Sequence, residues 1–493
     1  MNLCFNSFRY VEVDEEHGGE FFYYFIESEN NPAEDPLLLW LTGGPRCSTF
    51  SALVFEIGPL KFVTAEYNGS LPSLVYNPYS WTKVANVIFV DSPLGSGFSY
   101  SRKYKGYDAN DTIWSEQASK FLLQVGKIIY IPDVVGNGDS GERGPCSPLL
   151  IMEKDHYTPS GFPYIKGVRP RLRVWKSQAC DESQRKISKA AGFGLWNCGG
   201  LSDPVIALPI ASFVIADWGS AGDRSLPIGD LREIAWLVEH PQFISNPLYI
   251  AGDSYARKIV PMVAKRILDG IDEGKELLLN LQLTKSLLMD DFQGYLIGNP
   301  FIGEKVNENS KIPYAHSMGI ILDDFFEVND TIKLQQARLS NSHHFTMLDC
   351  YAYTLVYYWA NSNIVRRALD IIKGTIKEWV RCNRHLPYTI EFKSNIKYHL
   401  SLLQRGYRAL VYSGDHDIVV PFSGTKQWIK SLNSSIVEGW RSWYVGGQVA
   451  GYTMTYSNNL TFATVKGVGH TVPEYKSQEC LAMIMRWISG ALL

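Results

Sequence analysis

Asn246-Pro247-Leu248-Tyr249-Ile250-Ala251-Gly252-Asp253-Ser254-Tyr255-Ala256 decides how this chain reads. Leu248 to Ala251 is a short apolar run of strand character, and Gly252 is expected to supply a one-residue turn. A helical pattern starts at Tyr255 and continues through Ile259, Val260 and Val263 to Leu268. A serine between a buried strand and a helix start is the arrangement of a nucleophile elbow. The turn lifts its oxygen above the sheet edge, and the free N–H groups of the helix N-terminus favour negative charge beside it. The plainer reading is a serine that only caps the helix. The rest of the chain favours the first.

At 493 residues the chain has room for one large domain with insertions, or for two to three domains. A hydrophobic share of 45%, with 13% aromatic residues, is enough for a large core. Net charge −3 and a pI near 6.4 argue against nucleic acid as the main partner. The longest apolar candidate, residues 205–218, contains Pro209 and is too short for a membrane span. The first residues, Met1-Asn2-Leu3-Cys4-Phe5-Asn6-Ser7, lack the basic flank and apolar run of a signal peptide. Yet Asn68, Asn110, Asn329, Asn433 and Asn459 all head Asn-x-Ser/Thr sequons. No pair among the eight cysteines has metal-ligand or redox spacing, and no Gly-rich phosphate loop or His/Cys cluster calls for a metal, nucleotide or organic cofactor.

Outward from the elbow, five more apolar runs read as buried strands. They are Leu37-Leu38-Leu39-Trp40-Leu41, Val87-Ile88-Phe89-Val90, a short one at Leu296-Ile297, Arg408-Ala409-Leu410-Val411-Tyr412 and Phe462-Ala463-Thr464-Val465. Residues 8–27 alternate like a hairpin, residues 109–124 have helical period, and a helix closes the chain at about 478–489. Buried strands alternating with helices imply an α/β architecture with a largely parallel sheet. Residues 125–235 differ in kind: dense in Gly and Pro, poor in periodicity, they read as a loop-rich insertion.

In such sheets functional residues gather beyond the carboxyl ends of the strands. Three strand ends here carry Ser254, then Asp415 and Asp417, then His470, the order Ser…Asp…His of α/β-hydrolases. A serine attacks a carbonyl only when a base takes its proton, a histidine titrates near neutrality, and an aspartate fixes the imidazole tautomer. Either aspartate can fill the third place on this reading. The first strand ends in Thr42-Gly43-Gly44-Pro45, where bare backbone N–H groups suit an oxyanion hole or merely a tight turn.

Together with Gly447-Gln448-Val449-Ala450-Gly451-Tyr452, these segments resemble the plant serine carboxypeptidase-like proteins over roughly three quarters of the chain. The resemblance implies an α/β-hydrolase fold forming a single domain over 1–493, with a shortened helical lid within about 305–380 and an atypical insertion at 125–235. It implies Ser254 as nucleophile, Asp417 rather than Asp415 as the acid, and His470 as base. The oxyanion hole would be the N–H groups of Gly44 and Tyr255, and Cys47 would pair with Cys382. Members enter the secretory pathway and reach the vacuole or the cell exterior.

Peptidases of that family have Asn before the Gly pair and Glu before the nucleophile, which hold a peptide's terminal carboxylate with a further glutamate matching Glu56. Here those positions are Thr42 and Asp253, and with Gly43 and Glu56 they form the implied substrate site. The combination resembles the acyltransferase branch, which moves an acyl group from a glucose ester to a small-molecule acceptor. Release of C-terminal residues from a peptide is the alternative. A catalytically silent relative is the third reading, because the family has Gly at Arg46 and at Arg257, where a long cationic side chain is expected to crowd the oxyanion hole.

Overall fold

The computed structural model describes residues 5–65, 67–125, 195–196, 205–206, 243, 245–272, 292–301, 304–327 and 347–493. Two compact units result. In the smaller, Met1–Cys4 with Gly144–Glu233, Leu195–Trp196 pairs antiparallel with Val205–Ile206. Most of the Gly/Pro-rich stretch, much of the lid (328–346) and the Asn329 sequon lie outside the described residues. The larger unit, Phe5–Arg143 with Ile234–Leu493, contains the candidate functional site.

Its frame is an eleven-stranded sheet. In chain order the strands are β1 (Phe5–Asp14), β2 (Gly19–Ile26), β3 (Leu37–Leu41), β4 (Asn86–Val90), β5 (Tyr100–Ser101), β6 (Leu248–Asp253), β7 (Phe292–Gly298), β8 (Arg408–Gly414), β9 (Ile436–Val445), β10 (Gln448–Tyr456) and β11 (Leu460–Val465). Their order in space is β1-β2-β4-β3-β6-β7-β8-β11-β10-β9, with β5 on β2. The six strands read from apolar runs form the parallel centre, β4-β3-β6-β7-β8-β11. They are covered on both faces, which is why they read as continuous rather than alternating runs. The hairpins β1/β2 and β9/β10 flank this centre antiparallel.

One face of the sheet packs on α1 (Asp111–Val125), α2 (Ala256–Asp272), α6 (Ile396–Gln404) and α7 (Phe422–Ser431); Trp114, Ile259, Val263, Leu402 and Trp428 share its core. On the other face Trp40 stands edge-on to Trp81 and Tyr249 to Trp487 of α8 (Ser477–Ile488). Three helices of the lid region, α3 (Glu304–Ser317), α4 (Asp323–Glu327) and α5 (Met347–Asn361), belong to the stretch between β7 and β8.

Two local expectations change. Gly252 is not a turn: β6 continues through it to Asp253, pairing Gly252 with Leu41 on one side and Ile297 on the other. Helix α2 begins at Ala256, one residue later than the pattern suggests. Pro261 sits inside α2. Its missing N–H leaves the Arg257 carbonyl without a helical donor, and Asn395 Nδ2 donates to that carbonyl at 3.1 Å instead.

Strands β3 and β6 are neighbours, but the next strands in the chain lie on opposite sides, β4 beyond β3 and β7 beyond β6. This is the topological switch point of the sheet, where a crevice opens beyond the carboxyl ends. The Gly43-Gly44 pair and Ser254 leave the sheet there side by side.

Candidate active site

Ser254 occupies the left-handed region with φ 49°, a conformation that costs a non-glycine residue energy and that the surroundings must enforce. Its N–H donates to Gly298 O at 2.9 Å, which ties the elbow to β7. His470, on the loop after β11, lies with Nε2 2.9 Å from Ser254 Oγ and Nδ1 2.7 Å from Asp417 Oδ2. Asp417 is buried and heavily bonded. Asn299 Nδ2 donates to its Oδ2 at 2.6 Å, and the N–H groups of Val419 and Val420 donate to its Oδ1 at 2.8 and 3.0 Å.

Asp415 points elsewhere. Its Oδ1 lies 2.6 Å from His416 Nδ1 and accepts the Gly467 N–H at 2.6 Å. Of the two aspartates left open by strand-end logic, only Asp417 reaches His470 among the described contacts. Burial opposes ionisation of Asp417, but the facing His470 charge and these hydrogen bonds outweigh it and hold the carboxyl below its ordinary value. Burial likewise disfavours the His470 imidazolium, yet Asp417 outweighs it and leaves the histidine above its ordinary value.

The β3 end closes tightly on the elbow. Gly43 N–H donates to Asp253 Oδ1 at 3.0 Å. A Cβ on Gly43 would stand 2.7 Å from Tyr255 N, 2.8 Å from Asp253 O and 2.8 Å from Ser254 Cβ. Gly43→Ala is therefore expected to slow reaction of Ser254 with a fluorophosphonate by about 100-fold or more, as displacement of an oxyanion donor does. A wild-type labelling rate would contradict that geometry.

Next in the chain, Cys47 and Cys382 form a disulfide that joins the loop after β3 to the segment before Asn383. Asp91, at the end of β4, accepts from Ser48 Oγ at 2.7 Å, Thr49 N at 2.8 Å and Phe98 N at 2.9 Å, fixing the same loop. Burial raises Asp91 to about 7 against the pull of those bonds. A cavity of about 350 Å³ is bounded by Gly44, Cys47, Arg384, Leu386 and Tyr388.

Thr42 is buried; its Oγ1 accepts from Trp40 Nε1 at 3.2 Å and donates to Thr49 Oγ1 at 3.3 Å. Glu56 is buried in the π-helical turn Ala52–Glu56, with Oε2 lacking a hydrogen-bond partner. Burial, then the charges of Asp253 and Glu474, hold the Glu56 carboxyl well above its ordinary value. Burial also raises Asp253.

Both arginines turn toward backbone carbonyls. Arg46 takes the left-handed backbone, φ 67°, that a glycine would prefer, but its guanidinium turns into the protein and donates to the carbonyls of Leu94, Tyr107 and Pro387. Arg257 is buried and donates to the carbonyl of Ser254.

The β3 and β6 ends, Asp417 and His470 thus converge at one crevice. A serine hydroxyl, a base and a buried acid in line can form and resolve an acyl-enzyme. Asn299 and Asp91 escaped the sequence reading, although Asp91 directly follows the Val87–Val90 run and Asn299 lies one glycine beyond Leu296-Ile297, near where the other site residues were found.

The family model for serine carboxypeptidase matches residues 6–125, 234–344 and 324–490. This chain belongs to the serine carboxypeptidase family. Serine carboxypeptidase-like 9 of Arabidopsis thaliana is 35% identical over 516 residues, covering 98% of this chain and 90% of the relative. Serine carboxypeptidase-like 2 of the same plant is 36% identical over 511 residues, covering 98% and 88%. Among solved structures, a prohormone-processing carboxypeptidase from Saccharomyces cerevisiae aligns with TM-score 0.60 at 16% identity, covering 98% of this chain and 91% of that one. The carboxypeptidase-like assignment agrees with the α/β-hydrolase fold, and the matched segments bracket residues 126–233 without including them.

Proposed function

We propose that this serine carboxypeptidase-like protein is an acyltransferase that moves an acyl group from a glucose ester to a small-molecule alcohol or amine. The observation that carries the chemistry is the continuous line Ser254–His470–Asp417 at the sheet's switch point. Ser254 Oγ attacks the ester carbonyl and passes its proton to His470 Nε2. The oxyanion is held by the N–H groups of Gly44 and Tyr255. Collapse expels the glucose hydroxyl, which takes the proton from His470. The acceptor then attacks the acyl carbon and gives its proton to His470; the bond to Ser254 Oγ breaks, His470 returns the proton to that oxygen, and the ester or amide leaves. Asp417 stabilises the imidazolium in both halves.

Thr42 favours transfer over proteolysis. Its hydroxyl is engaged by Trp40 and Thr49, and it has no amide to offer a peptide's terminal carboxylate. Cleavage of C-terminal residues is the second reading, because Glu56 and Asp253 remain as carboxyl groups held above their ordinary values by burial. Glu56→Gln separates the two. A neutral amide mimics the protonated acid, so turnover of a glucose ester is expected to change by less than about threefold. A peptidase that needs the acid–carboxylate contact would instead lose about tenfold or more on blocked dipeptides. Faster turnover of the dipeptide than of the ester by the wild-type protein would reverse the preference.

The raised His470 sets a pH expectation. The base acts when neutral, so acylation rises as pH increases through the folded-state value. The acid limb should therefore lie above the ordinary histidine value of about 6.5. Acylation rates measured against pH check this, and a midpoint below that value would contradict it.

The whole chain acts in this reading as one carboxypeptidase-like domain interrupted at 125–235, working in the secretory pathway, vacuole or cell exterior. Asn68 and Asn433 are exposed sequon residues suited to glycosylation, while the Asn110 side chain accepts the Ile113 N–H at 2.7 Å.

A further inference from the structure

Arg257 is an unusual occupant of the first turn of α2. It is among the largest fully buried side chains, yet no carboxylate forms an ion pair with it among the described residues. One guanidinium nitrogen donates to the carbonyl of Ser254. Nε and the other terminal nitrogen have no hydrogen-bond partner. The guanidinium lies over the Phe301 ring, 4.8 Å from its centroid, and the residue's own carbonyl is held by Asn395. Set against the Ser254 carbonyl and packed over the Phe301 ring, the cation is closed off from solvent. Burial disfavours the charged form of Arg257, yet a buried charge is screened much less than an exposed one, so its field reaches the groups around it.

We propose that Arg257 is a positioning residue of the Ser254 elbow: it grips the backbone of the nucleophile and holds a fixed positive charge behind the Ser254–His470 pair, which sets the pH range in which that pair works. This inference rests on the reading of Ser254 as nucleophile. The charge lies in the first turn of α2 and adds to the positive end of that helix's dipole.

The groups that share its field come from every neighbouring element. Asp253 ends β6, Tyr255 lies in the elbow, Asp111 opens α1, His399 lies in α6 and His470 follows β11. Lys258, next along α2, is directed to the Phe392 carbonyl at 2.8 Å. Burial and the Arg257 charge both disfavour the His470 imidazolium, against the stronger pull of Asp417. Arg257 and His470 meet the same residue, one at the Ser254 carbonyl and the other at its hydroxyl, and this placement couples the two charges.

The test is the pH dependence of fluorophosphonate labelling in the full chain, with Ser254→Ala as the zero. Arg257→Met and Arg257→Gln remove the charge at similar volume, Arg257→Gly removes the side chain, and Arg257→Lys keeps the charge without the fork. Cooperative thermal unfolding reports which variants fold. In the folded neutral variants the acid limb should move up by about 0.5–1 pH unit. In Arg257→Lys it should stay, with a slower plateau rate from the lost grip on Ser254. An unmoved limb in a folded neutral variant, or an equal shift in Arg257→Lys, overturns the proposal. If every neutral variant fails to fold while Arg257→Lys folds, Arg257 is purely structural and the proposal is equally overturned. Absence of wild-type labelling sinks the serine reading and this inference with it, whereas labelling with an unmoved limb sinks this inference alone.

Discussion

Ser254→Ala is expected to abolish acyl-enzyme formation and to lower ester turnover by at least about 10⁴-fold while the protein stays folded. The hydroxyl lies 2.9 Å from His470 Nε2, and among the described residues it is the side-chain oxygen bonded to that nitrogen. Little is lost structurally, because the elbow's fixed points are backbone. Ser254 N–H bonds Gly298, and Gly43 N–H bonds the Asp253 side chain. The unfolding temperature should thus change little, apart from the small cost of alanine at positive φ. Residual turnover within about tenfold of wild type would mean that the chemistry does not pass through Ser254.

The second large effect is a contrast between two aspartates two residues apart. Asp417→Asn is expected to cost about 10⁴-fold in turnover, because an amide facing His470 Nδ1 favours the wrong tautomer and cannot stabilise the imidazolium. Asp415→Asn should cost less than about threefold, since Asp415 is occupied with His416 and the Gly467 N–H. Asp417 is also an anchor: Asn299, Val419 and Val420 all donate to it. The paired measurement is turnover and thermal unfolding of both variants. Equal losses would show that the effect comes from damage to the Gly414–Val420 loop rather than from the imidazole.

The readable parts of the molecule share one physical cause. A strand buried on both faces admits almost no polar residue, so the runs Leu37–Leu41, Val87–Val90 and Leu248–Ala251 inside the strands announce themselves by composition alone. The polar residue that ends such a run is then conspicuous, which brought out Ser254, Asp415/Asp417 and His470. The hairpin β9/β10 was harder to see. One of its strands, Ile436–Val445, is largely exposed and mixes polar with aromatic residues, so its burial pattern lacks the signal of the central strands. Gly252 misled for a related reason. Glycine suggests a turn locally, but here Leu41 O on β3 comes within 2.5 Å of where a Cβ would sit, so the glycine serves close strand approach. Arg46 and Arg257 could not be placed from the sequence, because side-chain length is visible there and direction is not. Carbonyls of Leu94, Tyr107, Pro387 and Ser254, remote in the chain or hidden in the elbow, draw both guanidiniums inward.

The amino-acid sequence by itself determined the parallel α/β core, the order Ser, Asp, His along it, and, through resemblance to a known family, its membership of the serine carboxypeptidases. Those properties live in short windows, where burial dictates composition. Strand-end logic left Asp415 and Asp417 open and the resemblance preferred Asp417; tertiary structure supplies the Asp417–His470 contact, and it alone decided where two arginines point. These depend on contacts such as Asn299 to Asp417 and Gly43 to Asp253, made between residues 118 and 210 positions apart. No local pattern encodes such a meeting. It follows from the strand order, which sets β3 beside β6 and turns their carboxyl ends into one crevice.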